Sequence, residues 1–228
     1  MLNNVRTFAP SNKHIAFSGA SLLPKKEKKM KTNSKINTKK LTTTALLTAL
    51  AVVLQFIEIS IPIMPSFIKL DFSDLPELIG AFTCGPFAGV LIAFLKNLIH
   101  LAFGSSGGIG ELSNFIIGAA LSLTAGLIYK KFPNIKGVIG GGIIACIVMG
   151  VVSIPTNYFI IYPLYYNVMG FPQEAILDMY RLILPSTKSI AQALLIFNAP
   201  FTVVKGLICL VVSAAVYKPL HRLLNKNG

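Results

Sequence analysis

Residues 75–103 read LPELIGAFTCGPFAGVLIAFLKNLIHLAF, and the way this apolar stretch is divided decides the fold. About 20 helical residues cross the roughly 30 Å hydrocarbon core of a bilayer, so the stretch fits one kinked span or two short ones. Gly85 and Pro86 stand near its middle. Glycine often ends a helix and proline favours the first position of the next. The pair therefore predicts a tight turn between two helices.

The rest of the chain has the composition of a membrane protein. Of its 228 residues, 54% are hydrophobic and only 13% are charged, well below the roughly 25% charged residues of soluble domains. Mean hydropathy is +0.69. We predict an all-α membrane protein whose other apolar stretches are Leu41–Ile59, Gly110–Tyr129, Gly137–Ile161 and Ile190–Tyr217.

The basic residues favour two helices within 75–103. A single helix there would place Lys130–Lys136 outside the cell, against the positive-inside rule. Two helices give six spans with both termini cytoplasmic, a short second helix, and an outer lid loop between helices one and two. Every acidic residue beyond position 40 then lies on the outer side: Glu58, Asp71, Asp74, Glu77, Glu111, Glu174 and Asp178.

Residues 1–40 differ from the six-helix membrane domain predicted for 41–228. They hold ten Lys or Arg residues against one Glu, without the apolar region of a secretory signal peptide. We expect a disordered, basic cytoplasmic tail. An anionic-lipid contact and a true start at Met30 are the alternatives. Nucleic-acid binding is not expected, because the other basic residues lie at the ends of membrane helices.

Several classes of site are not expected from the sequence. The three cysteines, Cys84, Cys146 and Cys209, are scattered in apolar stretches, which implies neither a disulfide framework nor a metal site. The chain contains no phosphate-binding G-x-x-x-x-G-K-[ST], H-E-x-x-H or G-x-S-x-G motif. We therefore expect a protein that is not an enzyme and has no cofactor.

Polar residues inside the predicted spans indicate a binding cavity. Lys96 lies midway through helix three, with His100 on the same face, and a lysine at that depth costs roughly 2.5–3.5 kcal/mol unless it faces the bundle interior. Helix six carries Asn198, Thr202 and Lys205 on one face. These side chains, with Glu111, Asn114 and Asn157, predict an outward-facing cavity floored by Lys96 and Lys205, with Met64 and Phe67 in the overlying loop as apolar neighbours.

Structural roles remain open for several of these residues. A single membrane Asn or Thr often serves as a hydrogen bond between helices. Lys96 or Lys205 could snorkel, or pair with Glu58 or Glu111.

Three blocks give the sequence a family resemblance. They are KLDFSDLPELIGAFTCGPFAGVLIAFLKNLIHL (69–101), GGIGELSNFIIG (107–118) and NYFIIYPLYY (157–166), supported by NAPFTVVKGLI (198–208). The chain resembles the riboflavin-specific substrate-binding (S) components of energy-coupling factor (ECF) vitamin transporters. The resemblance covers most of residues 41–220.

The resemblance implies a six-helix protein of the cell membrane that binds riboflavin from outside. It implies delivery of the vitamin inward together with a transmembrane coupling protein and two cytoplasmic ATPases. It also implies a docking surface on helix one, where Ala45 and Ala49 form the small-residue motif, and small residues four apart let another helix approach closely.

The resemblance further implies which residues contact the flavin. Asn157 matches an asparagine late in helix five, and Thr202 with Lys205 matches a polar-x-x-Lys pair in helix six. Members often have asparagine at the position of Thr202, so this contact is expected to be weaker or water-mediated here. Residues 63–70 are expected to close over the ligand.

Three other readings remain open. The chain could bind another vitamin or precursor, act on a lipid as a membrane enzyme, or serve as a membrane assembly protein. A ligand screen would separate binding of another vitamin from riboflavin binding. A membrane enzyme would carry an acid-base or metal-binding set of residues near the inner face. An assembly protein would show no saturable binding of a small molecule.

Overall fold

The computed structural model describes residues 38–104 and 106–225, with side chains up to Tyr217. The expected tail, apart from Thr38–Lys40, and Met30 lie outside the described residues. The helices are α1 (Thr38–Phe56), α2 (Asp74–Thr83), α3 (Pro86–His100), α4 (Ile109–Lys131), α5 (Ile135–Thr156), α6 (Tyr162–Asn167), α7 (Gln173–Arg181), α8 (Ile190–Ala193) and α9 (Ala199–Asn225).

The predicted turn between α2 and α3 is present. Helix α2 ends at Thr83, and α3 begins at Pro86. Gly85 has a φ of 112°, in the left-handed half of backbone space where residues with a Cβ are strained. Two separate short helices therefore replace the single kinked helix that the apolar stretch also allowed.

The helices pack as one bundle. Helix α4 packs against α3 and α5, and α5 packs against α9. The short helix α2 contacts α1, α3, α4 and α9, so its polar first turn is enclosed on several sides. One apolar core lies among these helices and includes Leu78, Leu121, Val138 and Met149.

Two π-helical segments interrupt the long helices. Asn157–Ile161 joins α5 to α6, and Leu194–Asn198 joins α8 to α9. A proline stands two residues after each segment, Pro163 and Pro200. Proline lacks the N–H and its ring clashes with the carbonyl four residues earlier, so a locally wider turn relieves that clash. Such π-turns frequently occur at functional sites.

A short hairpin lies between α1 and α2. Strands β1 (Ile59–Ser60) and β2 (Lys69–Leu70) are antiparallel, with Ile59 opposite Leu70 and Ser60 opposite Lys69. The connecting residues 61–68 form a compact loop. This is the region predicted to form an outer lid.

Three helical stretches of the described chain are long and apolar enough to cross a membrane: Ile109–Lys131, Ile135–Asn167 and Ile190–Tyr217. Pro86–His100 is apolar but shorter. The helical fold is thus observed, whereas the count of six spans and the orientation of the termini stay predictions.

Candidate functional site

A cavity of about 540 Å³ opens beneath the hairpin loop. This volume lies within the roughly 300–1,000 Å³ typical of small-molecule sites. Its lining combines residues from α3, α4, α5, α6 and α9, the two π-helical segments, and the loop between α1 and α2. His100 and Glu111 line it, as do six of the predicted ligand-binding residues: Phe67, Asn114, Asn157, Asn198, Thr202 and Lys205.

The other two predicted ligand-binding residues lie elsewhere. Met64 is buried within the hairpin loop and is not among the residues that line the cavity. Lys96 is completely buried, and its ammonium group points into a cluster of acidic side chains rather than into the cavity. The predicted cavity floor is therefore formed by Lys205 together with Asp71, not by the two lysines.

Lys96 and Lys205 share a buried charge cluster with three carboxylates. Lys96 Nζ lies 3.1 Å from Asp74 Oδ1 and 2.6 Å from Glu77 Oε1. Lys205 Nζ lies 2.9 Å from Asp71 Oδ2 and 3.3 Å from Asp74 Oδ2. Asp74 therefore bridges the two lysines. Neither lysine pairs with Glu58 or Glu111, which contact Lys69 and His100.

The geometry of α2 explains this cluster. Asp74 and Glu77 are three residues apart in the first turn, so they lie on one helix face. Carboxylates are also favoured at a helix N-terminus by the helix dipole. Because α2 packs against both α3 and α9, one face of one turn reaches Lys96 and Lys205 together.

Asp71 connects the charge cluster to the cavity. Its Oδ1 accepts hydrogen bonds from the backbone N–H and the hydroxyl of Ser73. Burial raises its pKa, but the charges of Lys205 and Lys96, with the hydrogen bonds from Ser73 and Lys205, outweigh burial and hold the pKa well below its ordinary value. Asp71 is thus an ionised partner that keeps Lys205 in place.

The asparagine of the first π-helical segment is held from two sides. Asn157 Nδ2 donates to the carbonyl of Ser153 at 2.8 Å, and its Oδ1 accepts from Ser113 Oγ at 3.3 Å. These bonds use one amide hydrogen and one lone pair. The amide retains one donor and one acceptor for a ligand.

The asparagine of the second π-helical segment has tyrosine partners. Asn198 Oδ1 accepts from the Tyr180 hydroxyl at 2.6 Å, and Asn198 Nδ2 donates to the Tyr162 hydroxyl at 3.2 Å. Tyr162 lines the cavity together with Tyr165 and Phe67. The ring centroid of Phe67 lies 6.4 Å from that of Tyr162 and 6.1 Å from that of Tyr165, which gives the cavity an aromatic wall.

A third polar group lines the cavity from α3 and α4. His100 Nδ1 lies 2.8 Å from Glu111 Oε1, and the Ser106 hydroxyl contacts the other oxygen of Glu111. The sequence placed Glu111 near the cavity but did not indicate this pair. Within the described residues, no group of three His, Cys, Asp or Glu side chains could hold a metal ion.

These groups suit recognition of a neutral, partly aromatic molecule. Amide groups and an ammonium group supply hydrogen bonds in fixed directions, and aromatic rings supply apolar contact area. Sequence reasoning missed Asp71, Tyr162, Tyr165 and Tyr180. The tyrosine spacing also fits an interfacial aromatic belt. The hydrogen bonds of Tyr162 and Tyr180 with Asn198 show instead that these two side chains face the bundle interior.

The predicted docking residues lie away from the cavity. Ala45 and Ala49 are exposed on α1, one helical turn apart. Their neighbours Leu46 and Leu50 are 68% and 44% exposed. This side of α1 is thus an apolar surface with a shallow strip of small residues.

Comparison with known proteins gives consistent matches. The family model described as "ECF transporter, substrate-specific component" matches residues 39–217. The chain is 37% identical to riboflavin transporter RibU of Staphylococcus aureus (strain TCH60) over 188 residues, which is 82% of this chain and 93% of that protein. It is 28% identical to riboflavin transporter FmnP of Bacillus subtilis (strain 168) over 182 residues, covering 78% and 90% of the two chains.

A solved structure is similar as well. It is described by the words "Structure and mechanism of the S component of a bacterial ECF transporter". The TM-score is 0.65 at 36% sequence identity, and the match covers 82% of this chain and 98% of the other. The two proteins are therefore similar in sequence as well as in fold.

Proposed function

The chain belongs to the family of substrate-specific components of ECF transporters, and on this premise we propose that it captures riboflavin from outside the cell. Bound riboflavin is then delivered inward with an ATP-driven energy-coupling module. The chain supplies binding and specificity, and the module supplies the energy. Proteins named riboflavin transporters match it over most of their length.

The convergence of polar groups on one aromatic-walled cavity carries this proposal. Asn157, Asn198, Thr202 and Lys205 come from two distant parts of the chain and line the same cavity. Riboflavin is neutral, with a polar pyrimidine edge and an apolar dimethylbenzene edge. Asparagine amides and Lys205 match the first edge, and Phe67 with neighbouring tyrosines matches the second.

The proposed function also implies an orientation in the membrane. We infer six spans, formed by α1, α2, α3, α4, α5 with α6, and α8 with α9, in a multi-pass protein of the plasma membrane. Both termini are cytoplasmic, since the lysine-rich turn between α4 and α5 then lies inside. The cavity and the hairpin loop face outward.

The partners of the proposed function are a transmembrane coupling protein and two cytoplasmic ATPases. Ala45 and Ala49 form the docking surface for the coupling protein. Their exposure on α1 lets a partner helix approach closely.

Purification of the full chain in detergent tests the ligand. A yellow preparation, or saturable quenching of riboflavin fluorescence by colourless protein, is expected. Asn157→Ala should weaken binding by roughly 10- to 100-fold, because it removes hydrogen bonds inside a desolvated site. Asn167→Ala is the matched control, since Asn167 is exposed at the end of α6. Folded protein without saturable riboflavin binding would overturn the proposal and direct the search to other vitamins.

A further inference from the structure

Three buried side chains from three segments close a ring of hydrogen bonds beside the cavity. Tyr180 of α7 donates to Asn198 Oδ1, and Asn198 Nδ2 donates to Tyr162 of α6. The hydroxyls of Tyr162 and Tyr180 contact each other and complete the ring. Tyr180 is completely buried, and Tyr162 and Asn198 are 2% and 7% exposed.

The placement of Asn198 Oδ1 against the Tyr180 hydroxyl sets the direction of the ring. A phenol hydroxyl carries one hydrogen. The hydrogen of Tyr180 is used on Asn198 Oδ1, so the contact between the two hydroxyls requires Tyr162 to donate to Tyr180. Each hydroxyl then donates once and accepts once, an arrangement in which neighbouring hydrogen bonds strengthen one another.

The ring also determines which hydrogen-bonding group of Asn198 remains for a ligand in the cavity. Asn198 and Tyr162 line the cavity, whereas Tyr180 lies behind them. The Asn198 carbonyl is turned toward Tyr180, and its amide nitrogen is turned toward the cavity-lining Tyr162. One amide hydrogen of Asn198 is used within the ring, which leaves the second for a ligand in the cavity that Asn198 lines.

We propose that Tyr180 is a positioning residue that fixes Asn198 as a hydrogen-bond donor, so that the site selects a ligand edge with an acceptor at this point. The acceptor is a carbonyl oxygen of the flavin pyrimidine ring, an assignment that rests on the proposed function. Tyr180 sets specificity without touching the ligand. Without its hydroxyl, the Asn198 amide loses its orienting partner and can present either its oxygen or its nitrogen.

The packing of α7 supports a positioning role. Ile176, Leu177 and Tyr180 form its buried face, within a core that also includes Tyr162 and Leu194. The Tyr180 ring lies 5.3 Å from Phe197 and 6.3 Å from Phe67, measured between ring centroids. Because apolar contacts hold the ring of Tyr180, removal of its hydroxyl alone leaves the fold supported.

A double-mutant cycle on riboflavin affinity tests the proposal. Tyr180→Phe is expected to weaken binding about tenfold, and Asn198→Ala by at least as much. The double variant should bind no more weakly than Asn198→Ala alone, because Tyr180 acts through Asn198. Tyr158→Phe, at an exposed tyrosine, is the matched control and should bind like the unaltered protein. Independent losses that multiply, or unchanged affinity in Tyr180→Phe, would overturn the proposal.

Asn198→Asp tests the donor role directly. It keeps the acceptor for Tyr180 and replaces the amide nitrogen by oxygen, so we expect riboflavin to bind more weakly than to Asn198→Ala. Affinity equal to that of the unaltered protein would show that the cavity-facing atom is not a donor, and would overturn the proposal.

A ligand-free measurement separates this inference from the proposed function. In detergent-solubilised protein labelled with ¹⁵N-asparagine, the side-chain amide signal of Asn198 is identified by its loss in Asn198→Ala. Tyr180→Phe should shift that signal, and Tyr158→Phe should leave it in place. An unshifted signal in Tyr180→Phe overturns the ring. Failure of the unaltered protein to bind riboflavin, with this shift present, overturns only the ligand assignment.

Discussion

Lys96 illustrates how a charge is accommodated inside an apolar bundle. Taking an ion out of water costs several kcal/mol, and paired opposite charges offset that cost only in good geometry. Lys96 obtains this geometry from Asp74 and Glu77. Removal of the lysine would leave Glu77 buried without a positive partner, while Asp74 would keep only Lys205.

Lys96→Met is therefore expected to destabilise the folded protein by about 3–5 kcal/mol. Addition of Glu77→Gln should restore part of the loss, because it removes a carboxylate that Lys96 had balanced. Thermal unfolding in detergent measures both effects. Lys188→Met, at an exposed lysine, serves as the control. A Lys96→Met protein as stable as the control would contradict the pairing.

Asp71 predicts how stability depends on pH. Its pKa in the folded protein lies below its unfolded value, so its contribution to stability is fully present above about pH 4 and is lost as pH falls below that value. Asp71→Asn should lower the melting temperature at pH 7, and this difference should shrink in acid.

The measurement for Asp71 is a series of melting curves between pH 7 and pH 3. Glu174→Gln is the control, because Glu174 forms an exposed ion pair with Arg181 and exposed pairs contribute little. The expected control effect is small at every pH. A difference between Asp71→Asn and the unaltered protein that stays constant with pH would contradict the ionised, paired state of Asp71.

The sequence identifies which residues are out of place in a membrane helix, but not always their partners. Helical spacing groups Asn198, Thr202 and Lys205 on one face, and the structure puts all three on the cavity. The same reasoning fails for Lys96, because its partners lie on another helix. Which face of α2 meets α3 depends on tertiary packing, which periodicity along one helix does not encode.

At the scale of elements, the turn at Gly85 makes two helices out of one apolar stretch. Gly85→Ala forces a Cβ into a backbone conformation (φ 112°, ψ 167°) that is essentially restricted to glycine, which costs roughly 1–3 kcal/mol. Nothing lies within 4 Å of the position that this Cβ would occupy, so the cost comes from the backbone rather than from a clash.

A matched glycine provides the control for Gly85→Ala. Gly140 lies within α5, and its added Cβ would also meet nothing within 4 Å. Alanine in a helix is favoured over glycine by roughly 0.5–1 kcal/mol. Melting temperatures should thus fall for Gly85→Ala and stay equal or rise for Gly140→Ala. Equal changes in the two variants would argue against a strained turn.

The π-helical segments are elements on which the cavity depends. Pro200→Ala supplies a backbone N–H and removes the ring clash four residues back, which lets the segment Leu194–Asn198 relax toward an ordinary α-helix. Asn198 would then rotate away from the cavity. Riboflavin affinity should fall at least about tenfold while thermal stability is kept or increased.

Pro24→Ala, in the part of the chain outside the proposed spans, is the control for Pro200→Ala. Titration of flavin fluorescence and a melting curve on the same samples separate affinity from stability. Unchanged affinity in Pro200→Ala would show that the proline does not set the position of Asn198.

Apolar length predicts where the helices lie, because burial in a bilayer requires it, and the observed helices follow the predicted stretches closely. Composition does not indicate the π-turns, since their extra residue depends on proline and on packing. Helix α7 also lies outside the predicted spans. Its buried face is short, and its charged residues Glu174, Asp178 and Arg181 give it the composition of a loop.

At the scale of the whole molecule, the cavity and the proposed docking surface lie on different parts of the protein. The cavity is built mainly from the hairpin loop, the helices α3, α4, α5, α6 and α9, and the two π-helical segments. Helix α1 contributes only Gln55 and Phe56 at its end. The exposed alanines of α1 lie elsewhere on that helix. A change at the docking surface should therefore leave ligand capture intact.

Replacement of both Ala45 and Ala49 by leucine tests this separation. The larger side chains prevent close approach of a partner helix, so co-purification with the coupling protein and the two ATPases should fall at least about tenfold. Riboflavin binding by the isolated chain should be unchanged, because neither alanine lines the cavity. Ala215→Leu, at an exposed alanine of α9, should assemble normally. Full assembly of the double leucine variant would show that the docking surface is not on this face of α1. A parallel loss of riboflavin binding would show that the two surfaces are not independent.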